Sequence, residues 1–173
     1  MKNILYKTFI LVFLFSTSVL AKDWEIVDFD KFISLQYHGK VTHGDKLDFN
    51  FSKKNCDKVN YFFSIYTAKK NPEFMNLKGK PIPLNINGIK TSADTIYTSP
   101  FLMGYRGMFY LGSYHAKDIA KFFNRITSYQ IKVVDRDNFK ADTYFDIDFN
   151  QWNLGDSEEA FKKAYSMCKS KVS

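Results

Sequence analysis

Three groups of residues have the side-chain types that chemistry needs. His38, His43, Asp45 and Asp48 crowd into YHGKVTHGDKLD. Imidazoles and carboxylates around one turn are ligand types for zinc and copper. Their spacing follows no metal motif, so we read them as the solvated tip of a hairpin. Asp142, Asp146 and Asp148 recur at even positions beside Tyr144. Paired carboxylates hydrolyse glycosides when they face each other at ~5–10 Å across a cleft. On one strand face, with Lys132 opposite Asp142, they read instead as a charge-paired surface. The third group is SPFLMGYRGMFYLGSYH. Here Phe101, Tyr105, Arg106, Phe109 and Tyr110 alternate with glycines. Arg beside Tyr is typical of binding hot spots, and glycine lets a second backbone approach closely. These five residues are the candidate binding set, with core packing of an aromatic strand as the competing reading. The chain holds no G-x-S-x-G, P-loop, dinucleotide fingerprint or zinc-protease helix. No catalytic residue, metal ligand or cofactor is therefore assigned.

The elements that must position these residues follow from periodicity. In FISLQYHGKVTHGDKLDFNF, Ile33, Leu35 and Tyr37 alternate with polar residues, as do Leu47, Phe49 and Phe51. A hairpin pairing Tyr37 with Leu47, Leu35 with Phe49 and Ile33 with Phe51 puts all six on one face. Residues 59–67 are aromatic and β-branched enough for a central strand. Residues 68–80 form a lysine-rich loop, the candidate for a rigid protruding segment. A short strand follows at 82–86, placed at an edge by Pro81 and Pro83. Further strands are expected at 95–98 and 106–114. A second hairpin is expected from 127–133 and 139–149, joined by a three-residue loop at Arg136, Asp137 and Asn138, with Asn138 left-handed.

Two helices complete the pattern. Ile119, Phe122 and Phe123 have helical spacing within 116–124. In GDSEEAFKKAYSMCKSK, Ala160, Ala164 and Cys168 recur every four residues, flanked by Phe161 and Tyr165. Asp156 and Glu159 have the spacing of a capping box at its start. Lys162, Lys163 and Lys169 fall on the water side. The expected fold is mainly β: an antiparallel β-sandwich of about seven to nine strands, one short helix and a C-terminal helix.

The compartment is read from the first residues. In MKNILYKTFILVFLFSTSVLA, Lys2 and Lys7 precede an apolar run, and Val19 and Ala21 suit a signal-peptidase site. We expect a signal peptide at 1–21 and a single domain at 22–173, periplasmic or secreted. Removing two lysines from 25 basic and 18 acidic residues lowers the formal charge from +7 to +5. That mild excess favours anionic partners only weakly. Export argues against nucleic acid as ligand, and cleavage would leave no integral membrane segment. Cys56 and Cys168 are then expected to form a disulfide.

Three pieces of the chain, DWEIVDF, HAKDIAKFFNRITSYQIKVV and FDIDFNQWNLGDSEEAFKKAYSMC, set an order of exported start, strands, and a final helix with cysteine. In this order the chain resembles the invasion-associated-locus-B-like periplasmic proteins, though without additional early cysteines. The resemblance implies a periplasmic or cell-surface β-sandwich with no catalytic residues to carry over. Three functions fit these expectations. The first is a non-enzymatic binding or accessory module of the bacterial envelope, with an envelope protein or glycan as partner. The others are a secreted inhibitor or immunity-type protein and an envelope-glycan hydrolase.

Overall fold

A computed structural model describes residues 24–42 and 44–171. The expected signal peptide and His43 lie outside them. Nine antiparallel strands form one continuous sheet. In chain order they are β1 (Trp24–Asp28), β2 (Phe32–His38), β3 (Lys46–Ser52), β4 (Lys58–Thr67), β5 (Pro81–Ile86), β6 (Ile89–Phe101), β7 (Gly104–His115), β8 (Ser128–Val133) and β9 (Phe149–Asn153). The helices are α1 (Ala116–Phe123), the single turn α2 (Ala141–Tyr144) and α3 (Ser157–Lys169). The spatial order is β1-β2-β3-β4-β7-β6-β5-β8-β9. The fold is thus mainly antiparallel β with a short helix and a C-terminal helix, as expected. Its strands curl as a half-barrel instead of dividing between two stacked sheets.

The curl is fixed where the far strand returns to the first ones. Asn150 of β9 donates to the Asp45 carboxylate beside β3, and Tyr37 of β2 donates its hydroxyl to the Asn153 carbonyl. The Trp24 indole donates to the Gly155 carbonyl at 2.8 Å. The enclosed face is aromatic. Phe49 stacks on Tyr61 at 4.6 Å and meets Phe123 of α1 and Phe161 of α3 edge-on at 4.9 and 5.0 Å. Phe63 stacks on Phe109 at 4.9 Å. Ring pairs of this kind add to the large area each aromatic removes from water.

The β2–β3 hairpin has the register the pleat required: Tyr37↔Leu47, Leu35↔Phe49 and Ile33↔Phe51, all six side chains buried. Helix α3 lies chiefly against β2. Ala160, Phe161, Ala164 and Cys168 form its buried stripe, while Lys162, Lys163 and Lys169 are exposed. Cys168 is bonded to Cys56, with Cα atoms 5.9 Å apart and 112 positions between them.

Four local expectations are corrected. Residues 139–149 are not a strand opposite β8. Asp135 Oδ1 accepts from the Ala141 N–H at 2.9 Å, and the chain makes the turn α2 before β9 begins at Phe149. Phe139, Ala141 and Phe145 fit a period of two, but Ala141 and Phe145 also fit a helical i, i+4 pair, and that geometry wins. In the tight turn at Arg136–Phe139, Asp137 takes the positive φ of 48°, and Asn138 does not. Nor is β5 a simple edge, since it pairs with both β6 and β8. The Pro83 carbonyl accepts from Val134, so its missing donor faces the β8 side, where ladder pairing starts only at Leu84. Finally, Asp156 has φ 55° and its side chain caps nothing. The start of α3 is instead held by Ser157, whose hydroxyl donates to Asn124 Oδ1 at 2.9 Å.

Segment 68–80 is also not a free protrusion. Pro72–Leu77 wind into a 3₁₀ turn, with Phe74 and Leu77 buried against the sheet. The Asn71 side chain caps it by accepting from the Glu73 N–H at 3.0 Å. Exposed apolar side chains are found instead at the turn of the β6–β7 hairpin, Leu102 and Met103.

Candidate functional site

Alternation along β7 separates the five candidate binding residues. Tyr105 and Phe109 point to the enclosed side, and Phe109 is 0% exposed. Tyr105 is half-buried and stacks on Phe74 at 5.6 Å. Phe109 therefore belongs to the core and reaches no partner. Phe101, Arg106 and Tyr110 share the outer face of the sheet.

On that face Arg106 is a hub. Its guanidinium carbon lies 5.5 Å from the Phe101 ring centroid, and Nη2 donates to Ser64 Oγ at 3.2 Å. Ser64 Oγ in turn donates to the Gly44 carbonyl at 3.0 Å. Phe101 meets Tyr66 edge-on at 5.9 Å, and Phe62 lies 5.2 Å from Tyr110. These contacts fix an aromatic strip across β4, β7 and the end of β6.

The strip ends at a two-residue turn, Leu102–Met103. These are the most exposed large apolar side chains among the described residues, 73% and 81% exposed. Leu102 has φ 51°. A bulky residue in that region costs of order 1–3 kcal/mol and is usually replaced by glycine or asparagine. The next residue shows why the turn sits where it does. A Cβ on Gly104 would stand 1.9 Å from the Thr67 carbonyl oxygen. Only glycine lets β7 start so close to the end of β4. The glycine signals this close approach in the sequence, where Met103 reads as one of the apolar residues around Arg106 and Leu102 has no assigned role. Their signal is two apolar residues between a strand end and a glycine, where turn residues are normally polar.

The other two groups are not assembled for chemistry. His38 is exposed, with Nε2 3.2 Å from a Glu25 oxygen. Asp48 is buried, accepts from Ser34 Oγ at 2.5 Å and is 3.1 Å from Lys46 Nζ. Asp45 accepts from the Tyr66 N–H at 2.7 Å and from Asn150. Among the described residues no group of three or more His, Cys, Asp or Glu is placed to hold a metal ion. Asp146 accepts from Thr67 Oγ1 at 2.9 Å and from the Ala68 N–H at 3.2 Å, which ties the β8–β9 connection to the end of β4. Asp148 lies 3.8 Å from Lys132, and Asp142 is exposed on α2. Lys132 faces Phe149 in the ladder, not Asp142.

The environments of two aspartates give opposite pH behaviour. Burial pushes the Asp45 carboxyl above its ordinary value, and the bonds from Tyr66 and Asn150 and the nearby Arg106 charge only partly offset this. The Tyr165 hydroxyl, at 2.6 Å, and then Lys169 pull half-buried Asp57 below its ordinary value. Asp45 therefore removes stability as the pH rises from its unfolded to its folded pKa, because the unfolded chain loses that proton first. The stabilisation from Asp57 is present above its unfolded pKa and is lost as the pH falls through the folded one. A carboxyl ¹³C titration of the folded protein is expected to place Asp45 above, and Asp57 below, the ordinary aspartate midpoint. The reverse order would contradict the burial and bonding described.

These features define a class by architecture: an antiparallel half-barrel, pinned by one disulfide to a C-terminal helix, with an apolar hairpin tip. Comparisons with family models, with curated proteins and with solved structures give no match.

Proposed function

We propose that this protein is an exported, non-enzymatic binding module of the bacterial envelope, periplasmic or secreted. It engages an envelope protein or glycan through the end of the sheet built from the β6–β7 hairpin. The observation that carries this reading is the tip itself. Leu102 and Met103 stand in water on a strained turn. The Arg106–Phe101–Tyr66 strip lies directly behind them. Exposed apolar side chains beside an arginine–aromatic set are the composition of binding hot spots. Strain held at a surface turn is the kind a fold retains for function. The resemblance to the invasion-associated-locus-B-like proteins points the same way, as does a disulfide, which suits an oxidising compartment.

The test is capture from the organism's own envelope fraction with two baits, the wild-type protein and a Leu102→Ser/Met103→Ser variant. Both side chains are exposed, so the variant is expected to melt like the wild type. Wild type should retain one stoichiometric protein or glycan that the variant loses. Equal capture by the two baits would remove the tip from the site.

A further inference from the structure

A second region, on the opposite side from the hairpin tip, has the chemistry of a ligand site. Helices α1 and α3 run antiparallel and are tied to each other at both ends. At one end Ser157 of α3 donates to Asn124, the residue that closes α1. At the other, the Ala116 N–H donates to the Asp57 carbonyl at 2.8 Å, and Tyr165 of α3 donates to the Asp57 carboxylate at 2.6 Å. Between these ties the helices part over a groove of about 450 Å³. Its floor is Phe51 from the sheet, Phe161 from α3, and Ala116 and Ala120 from α1. The two alanines keep the wall of α1 low. The volume lies within the range of small-molecule sites, ~300–1,000 Å³, and the floor is apolar as such sites require.

The rim is cationic. Lys117, Lys121 and Arg125 recur at i, i+4 and i+8 along α1 and its end, and Lys162 faces them from α3. All four are exposed. The one carboxylate on the groove is Glu158, held 2.6 Å from Lys162. Asp57, at the far end, is engaged by Tyr165 and by Lys169 at 3.3 Å. Like charges four residues apart destabilise a helix. Stacking three of them along one apolar groove is locally unfavourable, and an anion laid beside them turns that repulsion into attraction. Lysine and arginine stems also extend the apolar wall upward while their heads stay in water.

We propose that the α1–α3 groove binds a single-chain amphiphile with an anionic headgroup. The acyl chain lies on Phe51 and Phe161, and the headgroup sits among Lys117, Lys121 and Arg125. This proposal is independent of the hairpin-tip reading, because no residue is shared between the two surfaces. It commits to a lipid-like acid, since the floor offers an acyl chain contact area but few polar partners for a peptide backbone.

The test uses the intact, disulfide-bonded protein and palmitate as probe, below its micellar concentration, followed by calorimetry and by amide NMR shifts. Wild type should bind saturably, with shifts confined to α1, α3 and Phe51. Two variants attack the two halves of the site. Lys117→Glu/Lys121→Glu/Arg125→Glu alters exposed side chains only, and should weaken palmitate at least about tenfold, a 1.4 kcal/mol change. Ala120→Phe fills the groove and should abolish binding. A Lys163→Glu control, on a separate face of α3, should bind as wild type. A thermal melt of each variant shows that it is folded. The proposal is overturned if palmitate gives no saturable binding to wild type. It is overturned equally if the folded charge-reversal variant binds as well as wild type, or if the uncharged monoacylglycerol of the same chain length binds as tightly. Concentration-dependent dimerisation that Ala120→Phe abolishes, with no palmitate binding, would make the groove a self-association surface and also overturn it.

Discussion

Removing the Cys56–Cys168 bond by Cys56→Ala/Cys168→Ala is expected to cost about 4–5 kcal/mol, the chain-entropy value for so long a loop. The bond spans 112 positions and closes most of the sheet into one covalent loop. Both sulfurs are buried, Cys168 beside the carbonyls of Phe51 and Ser52 at the end of β3. It is also the covalent cross-link between α3 and the strands that α3 covers. For a chain of this size the loss corresponds to a drop in melting temperature of roughly 10–15 °C. Thermal unfolding of the double variant checks this. An unchanged midpoint would mean that packing alone fixes α3 and that the bond restrains little of the unfolded chain.

Ala164→Asp is expected to have the second large effect. Ala164 is 0% exposed and sits mid-stripe on α3, with Ala160 and Cys168 a turn to either side. A carboxylate there is larger than the methyl it replaces and has no cation on the buried face to pair with. Burying an unpaired charge costs about 3–5 kcal/mol or unfolds a marginal protein. The neighbouring Lys163→Asp changes an exposed position. Its main penalty is a like charge four residues after Glu159, about 0.2–0.5 kcal/mol. Denaturant unfolding of the pair measures the difference directly. Equal destabilisation would mean that α3 presents another face to the sheet.

Much of this architecture is legible in the residues because large apolar side chains enforce one parity. In β2 and β3, six such residues bracket a turn, and a slip of one position would expose all of them. The α3 stripe is equally constrained, since Ala160, Ala164 and Cys168 leave only one face small enough to pack closely on β2. Legibility fails where two periods share the same residues. Between Phe139 and Phe149 the apolar positions satisfy both a strand and a helical turn. The Asp135 bond to Ala141, a tertiary detail, decides between them. The Asn87-Gly88 pair, with φ of 48° and 88°, is a two-residue hairpin signal between β5 and β6. It gives β5 one neighbour, β6; the second, β8, is joined to it only through the long connection from β6 and is not marked by any local turn.

The candidate site was legible in composition but not in geometry. Arg106, Phe101 and Tyr110 do gather on one face, yet the same run supplies Phe109 to the core, because β7 is covered on its inner side and open on its outer side. Composition averages over the two faces of a strand. The exposed tip depends on which strand end is left uncovered, and the fold around Thr67 and Gly104 decides that.

The β6–β7 tip is proposed as the surface that meets a partner. Site-specific photocrosslinking in the intact envelope tests it most directly, with a photoreactive residue at Met103 and a second protein carrying it at Asn138, an exposed residue of the turn between β8 and α2. One dominant adduct is expected from position 103, and none of that mass from position 138. The same adduct from both positions, or adducts from 138 alone, would contradict it.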